Sequence, residues 1–373
     1  MRRALFWLHL AAGVVCGIVI LIMSVTGVLL AFEREVVAAF DRTPRAAAHA
    51  TPPLPIDALL ANSERALHGT PTMLTIARDP SLPLEIGVGR ERVVFVDRSS
   101  GATREGSRGV RRFFRVVESL HRWLGASDAS RDRGRVVTGA CNLAFLVLVC
   151  TGPFLWWPRR WSWPGVRAIV WFRRGLSARA RDFNWHNAIG IWSFVPLLVI
   201  VATGVVMSYP WANALVYRMT GSPVPPREPR PLEARAAKTD GVLHDVARLL
   251  PAAEQQVRDW KRISARVPAP NADTIVYTID RGDGGRPDLR AQLTLDRRTG
   301  RVVKWQPFAS QNAGRRMRTW IRFSHTGEAG GMAGRAIAAI ATAGAVVLVW
   351  TGLALALRRL AQWLRTSRRN AVS

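Results

Sequence analysis

The 373-residue sequence holds only three Cys, at 16, 141 and 150, and each lies inside an apolar run. One of them stays unpaired whatever the others do, so no disulfide framework stabilises the fold. Acidic residues are scarce, 26 Asp and Glu against 53 Lys and Arg, for a formal net charge of +27. No Gly-x-Gly-x-x-Gly follows a strand pattern and no Walker sequence occurs, which excludes binding of NAD or ATP by a recognisable loop. The most informative lack is of charge itself. Residues 10–32, 136–157, 187–209 and 336–357 contain no Asp, Glu, Lys or Arg. Each run exceeds the roughly 20 residues that carry a helix across a bilayer core. With 49% apolar and 21% charged residues, the chain reads as an α-helical membrane bundle of four spans, not as a disordered protein. The first run is too long for a signal peptide and meets no small-residue cleavage site before Glu33, so it reads as an uncleaved anchor.

Orientation follows from the short loop at 158–186, where Arg159, Arg160, Arg167, Arg173, Arg174, Arg179 and Arg181 face the single acid Asp182. Such a loop stays in the cytoplasm, together with Arg2, Arg3 and the basic tail 358–373, which places both termini there. The expected plan is then span 8–32, outer module 33–115, an outer-face His segment 116–135, span 136–157, the cytoplasmic loop, and span 187–209. A second outer module 210–322, a His/Gly segment 323–335, span 336–357 and the tail complete it. In a bacterium the outside is the periplasm and the membrane is the inner one. Basic charge split across two sides of a bilayer leaves no single domain to hold nucleic acid.

Both outer segments follow one pattern: a Pro-rich linker (Thr51 to Pro55; Pro223 to Pro226), an apolar-periodic helix (Ile56 to Leu67; Val242 to Leu250), then alternating strands. Val93 to Gly101 and Ala291 to Gly300 each run a strand into Asp-Arg-x-Ser/Thr-Gly, residues suited to a tight hairpin turn. Two small α+β modules are expected. The spans repeat more closely. His9-x3-Gly13-x12-Thr26-Gly27 matches His186-x3-Gly190-x12-Thr203-Gly204, and Gly134-Arg135-x15-Thr151-Gly152 matches Gly334-Arg335-x15-Thr351-Gly352, preceded by His121 and His325. The chain therefore reads as an internal duplication.

Four of the seven His occupy these equivalent positions beside spans; His49, His68 and His244 have no counterpart and read as surface residues. Ionisable groups at membrane depth are costly and usually functional, and imidazole is a strong ligand for haem iron. By topology His9 and His186 lie near the cytoplasmic face and His121 and His325 near the outer face, giving two bis-imidazole sites that each join the two halves. Gly13 and Gly190, one turn beyond His9 and His186, let a flat macrocycle approach the backbone.

His-x3-Gly with a distal Thr-Gly, Leu-His-Arg-Trp-Leu at 120–124 and Thr-Gly-x3-Trp-Trp-Pro at 151–158 resemble the PepSY-associated transmembrane family over nearly the whole chain. Span four departs from that pattern, since Thr351-Gly352 is not followed by Trp-Trp. The resemblance implies PepSY-like outer modules and, by analogy with dihaem ferric-siderophore reductases within the family, two haem b groups and release of iron as Fe(II) in the periplasm. Without Cys-x-x-Cys-His, covalent haem is unsupported. Electrons would come from a membrane quinol or a cytoplasmic flavoprotein. Ferric siderophores with anionic groups would dock near Arg315, Arg316 and Arg318. The alternative is a membrane-tethered PepSY regulator or inhibitor of a periplasmic peptidase, which leaves four placed His without a role.

Overall fold

A computed structural model describes residues 1–41, 52–64, 69–89, 91–158, 162–226 and 241–370. Thr51, His49, His68, Arg159, Arg160 and residues 65–67 of the first expected outer helix lie outside the described residues. Each half of the described chain sets four strands between helices, with three helices before the strands in the first pass and four in the second. The first pass is α1 (Arg2–Ala31), α2 (Glu33–Phe40), α3 (Ile56–Glu64), β1 (Pro71–Ala77), β2 (Leu84–Val88), β3 (Arg92–Val96), β4 (Thr103–Glu105), α4 (Arg108–Trp123) and α5 (Arg131–Trp156). After α6 (Trp163–Val170) come α7 (Ala178–Ser208), α8 (Pro210–Met219), α9 (Val242–Arg248) and α10 (Leu250–Gln256). The second pass ends with β5 (Arg262–Arg266), β6 (Thr274–Asp280), β7 (Arg290–Asp296), β8 (Val302–Pro307), α11 (Ala313–His325) and α12 (Gly331–Asn370).

These elements form two compact units. One comprises Met1–Glu33, Phe114–Val216 and Ile321–Ser373, the other Arg34–Phe113 and Tyr217–Trp320. In the second unit the two outer segments do not close into separate modules. Their strands make one antiparallel sheet, in the order β4-β3-β2-β1-β5-β6-β7-β8. Ala77 pairs with Arg262 and Met73 with Arg266 at the junction. Two four-stranded halves would each leave a strand edge with unpaired backbone groups, and pairing β1 with β5 removes both edges. Strand residues alternate in burial, so that Leu84, Ile86 and Val88 on β2 and Ile275, Tyr277 and Ile279 on β6 point to one face. Leu59 and Leu60 of α3 and Val246, Ala247 and Leu250 of α9 and α10 cover that face. The buried Tyr277 hydroxyl donates to the Val246 carbonyl at 2.7 Å, which fixes α9 on the sheet.

The two expected hairpin turns are built alike. The Asp97 carboxylate accepts the N–H groups of Ser99 and Ser100, and Asp296 accepts those of Arg298 and Thr299. Gly101 and Gly300 close the turns at φ 71°, a left-handed conformation that favours glycine. The hydrogen bonds hold the Asp97 carboxyl down at about 2.

In the first unit, α1, α5, α7 and α12 are each long and apolar enough to cross a membrane. They extend past the uncharged runs: α7 begins at Ala178 and α12 continues to Asn370. Charge bounds the segment that can sit in hydrocarbon, but it does not end a helix, and Arg side chains snorkel outward. α1 packs on α5 and α12, and α7 packs on the same two. Val149, Leu197, Val201, Ala341 and Ala345 form a small buried core of the bundle. Val15, Val195, Ile340 and Trp350 point outward and are strongly exposed, as side chains facing lipid must be. The repeated Gly-Arg pairs mark close turns: a Cβ on Gly134 would collide with the Trp123 carbonyl, and one on Gly334 with the Gly327 carbonyl.

Candidate functional site

All four singled-out His belong to the bundle unit, and each meets a Thr-Gly pair on another helix. His9 Nδ1 lies 2.8 Å from Thr151 Oγ1 and His186 Nδ1 3.0 Å from Thr351 Oγ1. His121 Nδ1 lies 3.0 Å from Thr26 Oγ1 and His325 Nδ1 3.2 Å from Thr203 Oγ1. The direction of these bonds follows from the threonines. Each hydroxyl donates its proton to a carbonyl one turn earlier: Thr26 to Ile22, Thr151 to Val147, Thr203 to Val199 and Thr351 to Val347. Its oxygen is left to accept, so Nδ1 carries the imidazole proton and Nε2 presents a bare lone pair.

Glycine does the other half of the work. His121 Nδ1 also lies 2.9 Å from the Met23 carbonyl and His325 Nδ1 2.8 Å from that of Ile200, and the Leu348 carbonyl lies near His186. Each of these carbonyls stands four residues before the glycine of its Thr-Gly pair, in Gly27, Gly204 and Gly352. A Cβ there would come within 3.4, 3.3 and 3.3 Å of the imidazole Cε1. Without one, the ring reaches the helix backbone. His9 is held by Thr151 among the described contacts, and Gly152 has nothing within 4 Å of a Cβ position.

Two of the imidazoles then meet. The rings of His9 and His186 lie 6.4 Å apart, centre to centre, with their planes at 79°. Two rings sharing one metal ion through Nε2, at about 2 Å each, have centres roughly 6 Å apart. His121 and His325 each rest on the Thr-Gly pair of α1 and α7, the two helices that carry His9 and His186. The two pairs stand at different levels of the bundle, because His9 and the Thr26 that holds His121 are separated by 17 residues of α1, roughly 26 Å of helix.

His9 and His186 open into a cavity of about 730 Å³ between α1, α5, α7 and α12. Its walls are mostly apolar, and Gly13 and Gly190 both line it. A Cβ on either would meet nothing nearer than Leu148 at 3.9 Å or Leu348 at 3.7 Å, so the space beside them is free for a flat ligand. Arg179 and Arg359 reach the same cavity, and among the described residues lining it there is no Asp or Glu. The guanidinium of Arg359 rests over the rings of Phe6 and Trp7 at 4.9 and 5.1 Å. Asp182, the single acid of the basic loop, is buried and taken by Arg181 at 3.0 Å and Arg358 at 2.8 Å. The cavity thus offers apolar walls, two imidazoles and two guanidiniums to a ligand that is largely apolar and carries negative charge. Among the described residues no group of three or more His, Cys, Asp or Glu side chains is placed to hold a bare metal ion.

Sequence spacing singled out the Thr-Gly pairs as repeat markers and missed their task, and it gave Arg179 and Arg359 no place beyond the basic loop and tail. The partners lie far apart in the chain, so no local pattern couples them. Arg315, Arg316 and Arg318 sit on α11, which belongs to the sheet unit up to Trp320 and ends in His325. No curated protein matches the chain. The family profile described as the PepSY-associated TM region matches residues 6–368, and the chain is a membrane protein of that family.

Proposed function

We propose that the protein is a dihaem electron carrier of the bacterial inner membrane that reduces a periplasmic ferric siderophore and releases Fe(II). The observation that carries this reading is the fourfold His–Thr arrangement, in which a Thr on another helix takes each Nδ1, together with the 6.4 Å approach of the His9 and His186 rings beside an apolar cavity. Haem b, when bound, supplies one-electron chemistry at each level. His9 and His186 would hold one group and His121 and His325 the other; Gly13 and Gly190 would leave room for the first, and Arg179 and Arg359 would pair with its negative charge. The apolar cavity walls keep water from the iron and favour its ligation by neutral imidazole.

In the proposed orientation the basic loop and both termini are cytoplasmic, so His9 and His186 face the electron donor, a quinol or a flavoprotein. His121 and His325 then face the acceptor, with Arg315, Arg316 and Arg318 on α11 offering charge to an anionic ferric chelate. Hard oxygen donors hold Fe(III) far better than Fe(II), so one electron releases the metal with the chelator intact. No general base or nucleophile is required of the chain. A reporter active only outside the cytoplasm should work when fused after residue 60 or 270 and fail after 175 or 370; activity at 175 inverts the orientation.

The reaction is tested on purified protein reduced anaerobically with dithionite, freed of excess, and given a ferric siderophore with a ferrous trap. Reoxidation of the haem spectrum with matching Fe(II) capture is expected. A reduced spectrum that persists with several ferric chelates sinks the reading, and a protein without a Soret band sinks the haem assignment with it.

A further inference from the structure

The bundle unit carries a second cavity, of about 620 Å³, on the opposite face of α7 from the His pair. Its rim is the loop before α7, with Arg173 and Arg174, and its wall includes Arg181 and the rings of Phe172 and Trp185. Leu176, Ile189 and Val347 form an aliphatic floor that belongs partly to the spanning helices α7 and α12. The loop is built rather than loose. Buried Asn184 accepts the Arg173 N–H at 3.0 Å and donates to the carbonyls of Ala168 and Trp171 at 2.9 and 3.0 Å. Phe172 meets Trp185 edge to face at 6.4 Å, and Arg181 lies over the Trp185 ring at 5.7 Å.

We propose that this cavity binds an anionic phospholipid, its phosphate on Arg173 and Arg174 and one acyl chain along Ile189 and Val347. The exposed guanidiniums of Arg173 and Arg174, with Arg181 already paired to Asp182 and no acid among the described lining residues, call for an anion. A floor of spanning helices calls for hydrocarbon, and only an amphiphile at the membrane boundary offers both; basic pockets between spans on the cytoplasmic side bind such lipids. A quinol fits less well, because its oxidation to quinone with loss of two electrons also releases two protons. Among the described lining residues no His, Asp, Glu or Lys is present to accept them.

The test is native mass spectrometry of the full chain, purified in detergent and incubated with phosphatidylglycerol or phosphatidylcholine of matched chains. One phosphatidylglycerol is expected to survive desolvation where phosphatidylcholine does not. Arg173→Gln with Arg174→Gln should cut that retention about thirtyfold, at about 1 kcal/mol for each arginine, while Arg365→Gln, outside the cavity, leaves it unchanged. Both Arg173 and Arg174 are exposed, so the double variant folds, which its thermal unfolding checks. Equal retention of the two lipids, or wild-type retention by the double variant, overturns the proposal. So does displacement of the lipid by a short-chain quinone whose own binding ignores the two arginines, an outcome that assigns the cavity to the electron donor.

Discussion

His9 and His186 face one another across one cavity, yet they are held differently. His186 rests against Thr351 and the Leu348 carbonyl, with Gly352 opening the backbone to it. Among the described residues His9 rests against Thr151, and Gly152 crowds nothing within 4 Å. The comparison shows that a Thr-Gly pair does two separable jobs. The hydroxyl fixes which nitrogen carries the proton, and the missing side chain exposes a helix carbonyl as a second acceptor. A ring with both is anchored to two points of one helix; a ring with only the first keeps freedom to turn.

The largest effect should come from the rings themselves. His9→Ala and His186→Ala are each expected to lower haem from about two per chain to about one, and both should lose the same spectral component. His121→Ala and His325→Ala should lose the other. If His9→Ala and His121→Ala remove the same component, the pairing fails.

Next in size is the loss of a hydroxyl. Thr151→Val leaves the His9 N–H without its acceptor and should weaken haem retention by about ten- to a hundredfold, the usual cost of removing an outer-shell partner. Thr351→Val should cost less, since the Leu348 carbonyl remains. Thr151→Ser should restore retention, because it replaces the hydroxyl and nothing else. Equal losses for the two Val variants, measured by haem titration and by shift of the midpoint potential, would erase the distinction between the seats.

A smaller contrast separates the glycines. Gly352→Ala places a methyl 3.3 Å from the His186 ring and should alter the haem spectrum. Gly152→Ala meets nothing within 4 Å and should leave the spectrum alone while raising thermal stability by up to about 1 kcal/mol through helix propensity.

The smallest effect lies outside the bundle and serves as its control. Asp97, held to about 2 by turn hydrogen bonds, is depressed in the folded state. Its contribution to the sheet is complete above its unfolded value near pH 4 and is lost as pH falls toward about 2. Asp97→Asn should flatten that part of the acid unfolding curve without touching either haem component at neutral pH.

The spans were legible because lack of charge over 22 or 23 residues is a one-dimensional signal. The Asp-Arg-x-Ser/Thr-Gly turns were legible for a related reason, since all their bonds close within five residues. His9, His186, His121 and His325 stood out by spacing alone. What spacing could not supply was the partner, because Thr151 is 142 residues from His9 and Thr26 is 95 from His121. The joining of the two outer segments into one sheet was equally hidden. Strand alternation tells which face is buried, and it is silent on which edge meets which.

That junction bears on how the chain is made. Ala77 waits for Arg262, and about 185 residues of chain, including two spans, must be synthesised before β5 can arrive. At roughly 5–20 residues per second the wait is on the order of 10–40 seconds. For that interval the nascent first half presents β1 as an open template to any passing strand. Biogenesis therefore sets a race between completing translation and mispairing, and a chain released before β5 is the form most exposed to aggregation and proteolysis.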